Sequence, residues 1–488
     1  MKKTKLNNIL SEIILLVLTI VTLSACGGGG SPSSKTKPLA PLSPSNYRPT
    51  APLMPLNPAL RPINPPLSPI NPPLDPIFPP IKPINPIHAL WAKQVGESDG
   101  ITQGYGISAD HNDNSYVTGT TDIGISGESQ NGKQDYFVAK HDESGNLLWA
   151  KQVGAKGGTT IGWGITTDQN NNSYVIGSTT LGISGRVQHG KEDYFIAKYN
   201  ESGNEVWTRQ IGNTDDGHTA GFGITADKNG NSYVVGTTTA GIFGQSQHGY
   251  EDYIIVKYDE SGNEVWAKQI GESKGYSVAR SVKVDKNGNS YIAGWTTVGL
   301  SGESQNGLSD FFVTKYDKDG KLVWAKQVGA KNGNAEASDI NISQDDNIYI
   351  TGDTDTTLAE SQFGTIDLFV AKYDEFGNKI MLSQHGESGG FTRGSGIGLD
   401  SNNNVYVSGS TNIDLNGHPH NADSYFFVTK ADNTGKILWD DGSEMGYSEA
   451  NGIAVTQNGN FYTIGHTDIS IFGQKKRGLN DYFIVKYH

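Results

Sequence analysis

The chain has 488 residues, 38 of them Lys or Arg and 51 Asp or Glu, for a formal net charge of −13. That balance argues against a nucleic-acid partner, which needs a basic face, and suits a soluble domain facing an anionic envelope without adhering to it. A single cysteine, Cys26, excludes an intramolecular disulfide, and a chain of this length buries a core large enough to fold without one.

Residues 1–25 read as a lipoprotein signal peptide. Lys2, Lys3 and Lys5 supply the charged region, and Ile13–Leu23 form an apolar run too short to cross a bilayer as a mature helix. The run ends in Leu23-Ser24-Ala25-Cys26, which resembles a bacterial lipobox. The alternative is a small-residue cleavage site followed by an incidental cysteine. On the lipobox reading the chain is cut before Cys26 and its thiol is lipidated. Acyl chains then hold the protein on a membrane, each buried CH₂ contributing roughly 0.8 kcal/mol. Gly27 in place of Asp after the cysteine implies, by the same resemblance, the outer membrane.

Residues 26–89 are the lipidated cysteine plus a Pro-rich linker. Nineteen of the 20 prolines lie between Pro32 and Pro86. Such a segment favours the polyproline II helix, which rises roughly 3.1 Å per residue and gives a reach on the order of 170 Å. It reads as a semi-rigid spacer, with docking of its interleaved Leu and Ile on a partner's aromatic groove as the alternative.

Residues 90–488 are built from repeats. Trp91, Trp149, Trp207, Trp266, Trp324 and Trp439 form one column, with Met381 in the sixth slot. Tyr116, Tyr174, Tyr233, Tyr291, Tyr349, Tyr406 and Tyr462 form a second column. Lys140, Lys198, Lys257, Lys315, Lys372, Lys430 and Lys486 form a third, and successive members lie 56 to 59 residues apart. Seven units follow, and a period of this size marks a repeat architecture. Within one unit, four runs read as strands: Gly164–Asp168, Ser173–Thr179, Asp193–Tyr199 and Glu205–Ile211. They are rich in β-branched and aromatic residues and bounded by Gly, Asn, Asp and Ser. In Tyr194-Phe195-Ile196-Ala197 both faces are apolar, as in a strand covered on both sides. Four-stranded sheets stacked around an axis need such strands. The region opens with a lone fourth strand, Leu90–Val95, and closes with a third strand, Asp481–His488. Each end therefore supplies what the other lacks. The expected fold is all-β, a seven-bladed β-propeller of four-stranded blades whose N-terminal strand closes the last blade.

Segments such as DYFVAKHDESGNLLWAKQVG at 135–154, followed by GITTD and NSYVIGSTT between 164 and 180, resemble bacterial β-propeller (SBBP) repeats. The resemblance spans residues 90–488 and implies the fold rather than an activity. Met381 in the Trp slot and Tyr425 in place of the Asp before the third strand depart from the pattern.

Loop lengths distinguish the two faces of the expected ring. The connections after the first and third strands, such as Asp227–Asn231 and Asp259–Asn263, are tight hairpins on one face. Those after the second and fourth strands, about a dozen residues each, share the other. Function usually sits on loops carried by a rigid scaffold. The long-loop face is therefore the expected binding face, with Gln130, Asn131, Gln188, His189, Gln247, His248, Gln305 and Asn306 as candidate ligand-binding residues for a protein or glycan. Their alternative role is to satisfy the loop backbone. A ligand that ignores them would occupy the central channel.

Other motifs read as structural. Asp110-x-Asn112-x-Asn114 and its copies at Asp168, Asp227, Asp285 and Asp400 resemble the start of a calcium loop. The twelfth position holds Thr121 instead of the bidentate Glu, and such sequences also favour turns. No metal or cofactor is expected. The recurrent Asp193/Lys198 pair is copied too often for an active site and suits ion pairs or blade-to-blade hydrogen bonds. His418-Pro419-His420 lacks ligands of metal-site spacing nearby. With no catalytic motif in view, the chain reads as a non-enzymatic, monomeric binding module at the bacterial cell envelope, lipid-anchored to a membrane. The alternatives are an envelope scaffold acting through the propeller edge and Pro-rich stalk, and, last, an enzyme with its site in the channel.

Overall fold

In the computed structural model the repeat region forms a compact unit that runs to His488. The residues described are 89–488, apart from 214–215, 360, 414–423, 433–436 and 443–445. The signal, Cys26, the Pro-rich segment and His418–His420 lie outside them. The described residues form 28 strands in seven antiparallel four-stranded sheets. Blade 2 is typical, with strands Thr160–Thr167, Ser173–Thr179, Asp193–Tyr199 and Glu205–Ile211 paired in sequence order. Blade 1 spans 102–153, blade 3 219–270, blade 4 277–328, blade 5 335–385 and blade 6 392–442. Blade 7 combines Ser448–Val455, Phe461–Thr467 and Asp481–Tyr487 with Trp91–Val95, whose Trp91 pairs with Lys486 and Val95 with Tyr482. The ring closes as the sequence predicts.

The core lies between blades. The second and third strands of blade 2 are buried at every residue, because each face meets a neighbouring blade. One cluster joins Tyr116, Tyr136 and Val138 of blade 1 to Ile165, Val175 and Phe195 of blade 2. An equivalent cluster unites blade 7 with blade 1 through Phe137, Val117, Tyr462 and Ile484. Each such aliphatic or aromatic side chain contributes roughly 1.5–3 kcal/mol on full burial. The Trp column adds a polar tie. Trp149 Nε1 donates to Glu201 O at 2.9 Å and Trp207 Nε1 to Glu260 O at 3.1 Å, in each case the hairpin of the following blade. Met381 has no such donor.

One expectation needs correcting. The first strand of blade 2 begins at Thr160 rather than Gly164, so the connection after the fourth strand of blade 1 covers only 154–159 instead of about a dozen residues. The Thr160 and Thr179 hydroxyls lie 3.1 Å apart across the strand pair and extend the ladder past a bulge. The Gly-rich run around that bulge reads as loop from composition, but its backbone is strand. Only the connection after the second strand, residues 180–192 in blade 2, is long.

Candidate functional site

The long loop after the second strand carries the residues singled out in the sequence, and it repeats one geometry. Gln188 Nε2 donates to Gly190 O at 2.6 Å, Gln130 Nε2 to Gly132 O at 2.9 Å, Gln247 Nε2 to Gly249 O at 2.9 Å and Gln305 Nε2 to Gly307 O at 2.9 Å. Asn131 Nδ2 donates to Ser129 O at 3.0 Å and Asn306 Nδ2 to Ser304 O at 2.9 Å. His189 Nδ1 and His248 Nδ1 sit 3.5 and 3.6 Å from Asp193 and Asp252. These side chains are exposed, Gln188 half-buried, and their nitrogens face their own loops. The structure brings each Gln together with its Asn or His neighbour, but distributes the four pairs over four separate blades.

The repeated Asp beneath that loop organises it. The fully buried Asp193 carboxylate accepts from His189 N at 2.8 Å, Gly190 N at 2.7 Å and Gln210 Nε2 at 2.9 Å. Asp481 does the same with Arg477 N, Gly478 N and Gln94 Nε2, so the closing strand reproduces the pattern. In blade 6 Tyr425 takes the slot and its hydroxyl reaches Ile413 O. Lys198 Nζ lies 4.9 Å from the centre of the Tyr174 ring and 3.4 Å from Glu260 O in the next blade. In the turns, Asp110 Oδ1 accepts from Asn112 N and Asn114 N, both at 2.9 Å. Its Oδ2 accepts from Asn114 Nδ2 at 2.8 Å and Tyr116 Oη at 3.2 Å. Both oxygens are engaged in a side-chain-capped turn.

A different set of residues meets at the hub. The first strands of successive blades contact one another around a closed ring, and each carries the same β-bulge. In blade 1 the register shifts between Gly104 and Gly106, in blade 2 between Gly162 and Gly164, in blade 4 between Ala279 and Ser281. The glycine after the bulge lets the ring close tightly, since a Cβ on Gly164 would lie 2.7 Å from Phe222 O of blade 3. The residue left unpaired differs around the ring: Tyr105, Trp163, Phe222, Arg280, Ser338, Ser395 and Asn451. A bulge re-aims the side chain it carries, and these side chains meet. The Tyr105 and Trp163 rings lie 4.8 Å apart, Trp163 and Phe222 6.0 Å, and the Arg280 guanidinium sits 4.8 Å over Phe222. Asn451 Nδ2 donates to Gly104 O at 2.8 Å and lies 3.1 Å from His466 Nδ1.

One pair of residues nearer the long-loop face, the lining is ionic on one side. Glu336 pairs across its blade with Asp353, and Glu449 with His466. Burial, reinforced by the Asp353 charge, pushes the Glu336 carboxyl up to about 7, against the pull of Arg280 and Arg393. Burial likewise raises Asp353 to about 6. Glu251, 4% exposed and bonded at 2.9 Å by Thr237 Oγ1, rises through burial to about 7. Burial lowers the Arg280 pKa while those three carboxylates oppose the shift. Burial also lowers His466, whose Nε2 is 3.9 Å from Glu449. Arg393 stacks 5.6 Å over Phe391. Among the described residues, no acceptor or carboxylate pairs with the Arg280 guanidinium.

Sequence reading missed this group because it sought chemistry in the copies. The signal lay in the opposite place: in the first strand the column of Tyr105, Trp163, Phe222 and Arg280 and the column of Gln103, Glu336, Arg393 and Glu449 refuse to repeat, while the small residue between them recurs as Gly or Ala.

A repeat family agrees with the architecture. The SBBP family, described as "Beta-propeller repeat", matches residues 90–125, 148–181, 206–244, 265–300, 323–358 and 384–416. A 262-residue stretch is 26% identical to an uncharacterized WD repeat-containing protein of Acanthamoeba polyphaga mimivirus, over 42% of this chain and 19% of that protein. The chain thus spans about a fifth of the length of that relative. Among solved structures, the chain resembles one in the mitotic checkpoint complex at 10% identity, with TM-score 0.49, over 87% of this chain and 100% of that one. It also resembles virginiamycin B lyase from Staphylococcus aureus at 9% identity, with TM-score 0.45, over 81% and 99%.

Proposed function

We propose that this chain, which carries six matched SBBP β-propeller repeats, is a non-catalytic binding module. It is held at the bacterial envelope by lipid on Cys26 and spaced from the membrane by the Pro-rich residues up to 89. Ligand enters from the long-loop face, into the hub. The observation behind this reading is the seven-fold bulge with an unrepeated residue on it. An otherwise copied ring thereby acquires one asymmetric group of side chains, which recognition of a single ligand needs. The loop residues Gln130, Asn131, Gln188, His189, Gln247, His248, Gln305 and Asn306 form the surrounding rim and would add several weak contacts to the central one.

Anchoring is tested by expressing the full chain and its Cys26→Ser variant in a Gram-negative host. Wild type is expected in the outer-membrane fraction with an acylated N-terminal cysteine by mass spectrometry, and the variant in the soluble fraction or with its signal uncleaved. An unmodified Cys26 in mature wild-type protein overturns the anchor.

A further inference from the structure

We infer that the hub takes an uncharged saccharide, one ring lying on the Trp163 face of the aromatic arc and its hydroxyls bridging Arg280 and the Glu336–Asp353 pair. This rests on the binding-module reading and gives it a ligand class. Three consecutive blades present Tyr105, Trp163 and Phe222, each partly exposed, with Trp163 within ring-contact distance of both others. Aromatic faces are flat, apolar and weakly negative, the surface that the C–H face of a pyranose covers.

The polar half of the hub selects among ligands that would use such a platform. An anion would meet Glu251, Glu336 and Asp353. A cation would meet Arg280 and Arg393, both of which act on the same carboxylates. A group that both donates and accepts suits the two together, and a sugar hydroxyl does both. Arg280 offers a planar fork of N–H donors with no acceptor among the described residues, its guanidinium held 4.8 Å over the Phe222 ring. Glu336 and Asp353 lie opposite one another across the same blade and supply acceptors when ionised or a donor when protonated. The arrangement is not repeated, so the propeller holds one such site; the rim residues are separate.

The experiment uses full-length protein in detergent on an array of neutral glucose, mannose, galactose and N-acetylglucosamine oligosaccharides. Uronate oligosaccharides, amino-sugar polymers and uncharged peptides form the control arms. At least one neutral saccharide should be retained, and titration should show binding weakened roughly tenfold or more by Trp163→Ala and by Arg280→Lys. Gln188→Ala and Gln247→Ala should leave it within about twofold. Circular dichroism and melting temperature accompany each variant. Arg280→Lys keeps the charge, so its loss of binding reports the lost fork rather than misfolding. Retention of only charged polymers or peptides, abolished by the same variants, overturns the saccharide while leaving a binding module. Neutral-sugar binding that ignores Trp163 and Arg280 overturns the site. Retention of no probe overturns both readings.

Discussion

The outer three strands of each blade and the inner one obey different rules. In the outer strands the same side chain recurs at the same register because each must make the same contact. Trp207 bonds the next hairpin, Asp193 gathers the loop, and Lys198 stacks on Tyr174. In the inner strand the backbone recurs, bulge included, while the bulged residue changes from Tyr105 to Trp163, Phe222 and Arg280. The frame fixes where that side chain points and asks nothing of its chemistry. Fold and recognition are thus carried by different columns of one repeat, so substitutions in the two regions should have opposite signatures.

The largest effect tests the frame at its seam. Strand Trp91–Val95 is the outer strand of blade 7, and it covers Phe483 and Val485, both fully buried. Removing residues 89–96 should expose the edge of Asp481–Tyr487 and convert a cooperative melt into aggregation. A chain lacking that strand that melts at the wild-type temperature would break the closure model.

The next test sets one frame carboxylate against one lining carboxylate. Asp193→Ala orphans two loop N–H groups and Gln210 Nε2, at a cost of about 3 kcal/mol. Glu336→Gln should act in the other direction. Its folded pKa of about 7 stands above the ordinary glutamate value of 4.5, so the protonated carboxyl is the form the fold prefers. That contribution is complete below pH 4.5 and is lost as pH rises through 7. The neutral amide should therefore stabilise the protein at pH 8 by on the order of 1 kcal/mol, after allowance for screening by solvent. It should have no such effect at pH 4. Urea melts at both pH values decide the matter, and a destabilised Glu336→Gln at pH 8 would move Glu336 into the frame.

The sequence made the frame legible because the frame is what repeats. Period, strand order, closure and turn chemistry could all be read from the columns of Trp, Tyr and Lys. The start of the inner strand was lost because residues 160–163 sit among glycines and read as loop, whereas Gly162 leaves room for Thr118 of blade 1 and Gly164 for the inner strand of blade 3. The hub was hidden for a related reason. Tyr105, Arg280 and Glu336 come from three different blades, the first and last of them 231 residues apart in sequence, and only ring closure brings them to one axis. Trp163 and Phe222 invite reading as core residues, and no periodicity distinguishes a ring packed in the core from one lining the channel.

The smallest predicted effect concerns a place where the frame itself departs from its pattern. Tyr199 and Tyr316 end their third strands with hydroxyls 2.5 and 2.6 Å from those of Tyr136 and Tyr253 in the preceding blade, and Tyr258 pairs with Tyr194 in the same way. Blade 1 has His141 in that slot. Both His141 Nδ1 and the Tyr482 hydroxyl of blade 7 are buried without a hydrogen-bond partner. Burial first, and then the Lys93 charge against the opposing pull of Asp142, pushes the His141 pKa down to about 4 from 6.5. A folded pKa below the unfolded one means stability that is present above pH 6.5 and is lost as pH falls through 4. Glu336 and Asp353 change stability in the opposite direction over an overlapping window, so the wild-type profile partly conceals both. His141→Tyr should restore the hydroxyl pair with Tyr482, stabilise by about 1 kcal/mol at pH 7, and remove the acid-side loss. Stability of the variant should then fall steadily between pH 4.5 and 7 as the lining carboxylates ionise. A variant whose melting temperature still drops on acidification toward pH 4 would show that the acid sensitivity resides elsewhere in the ring.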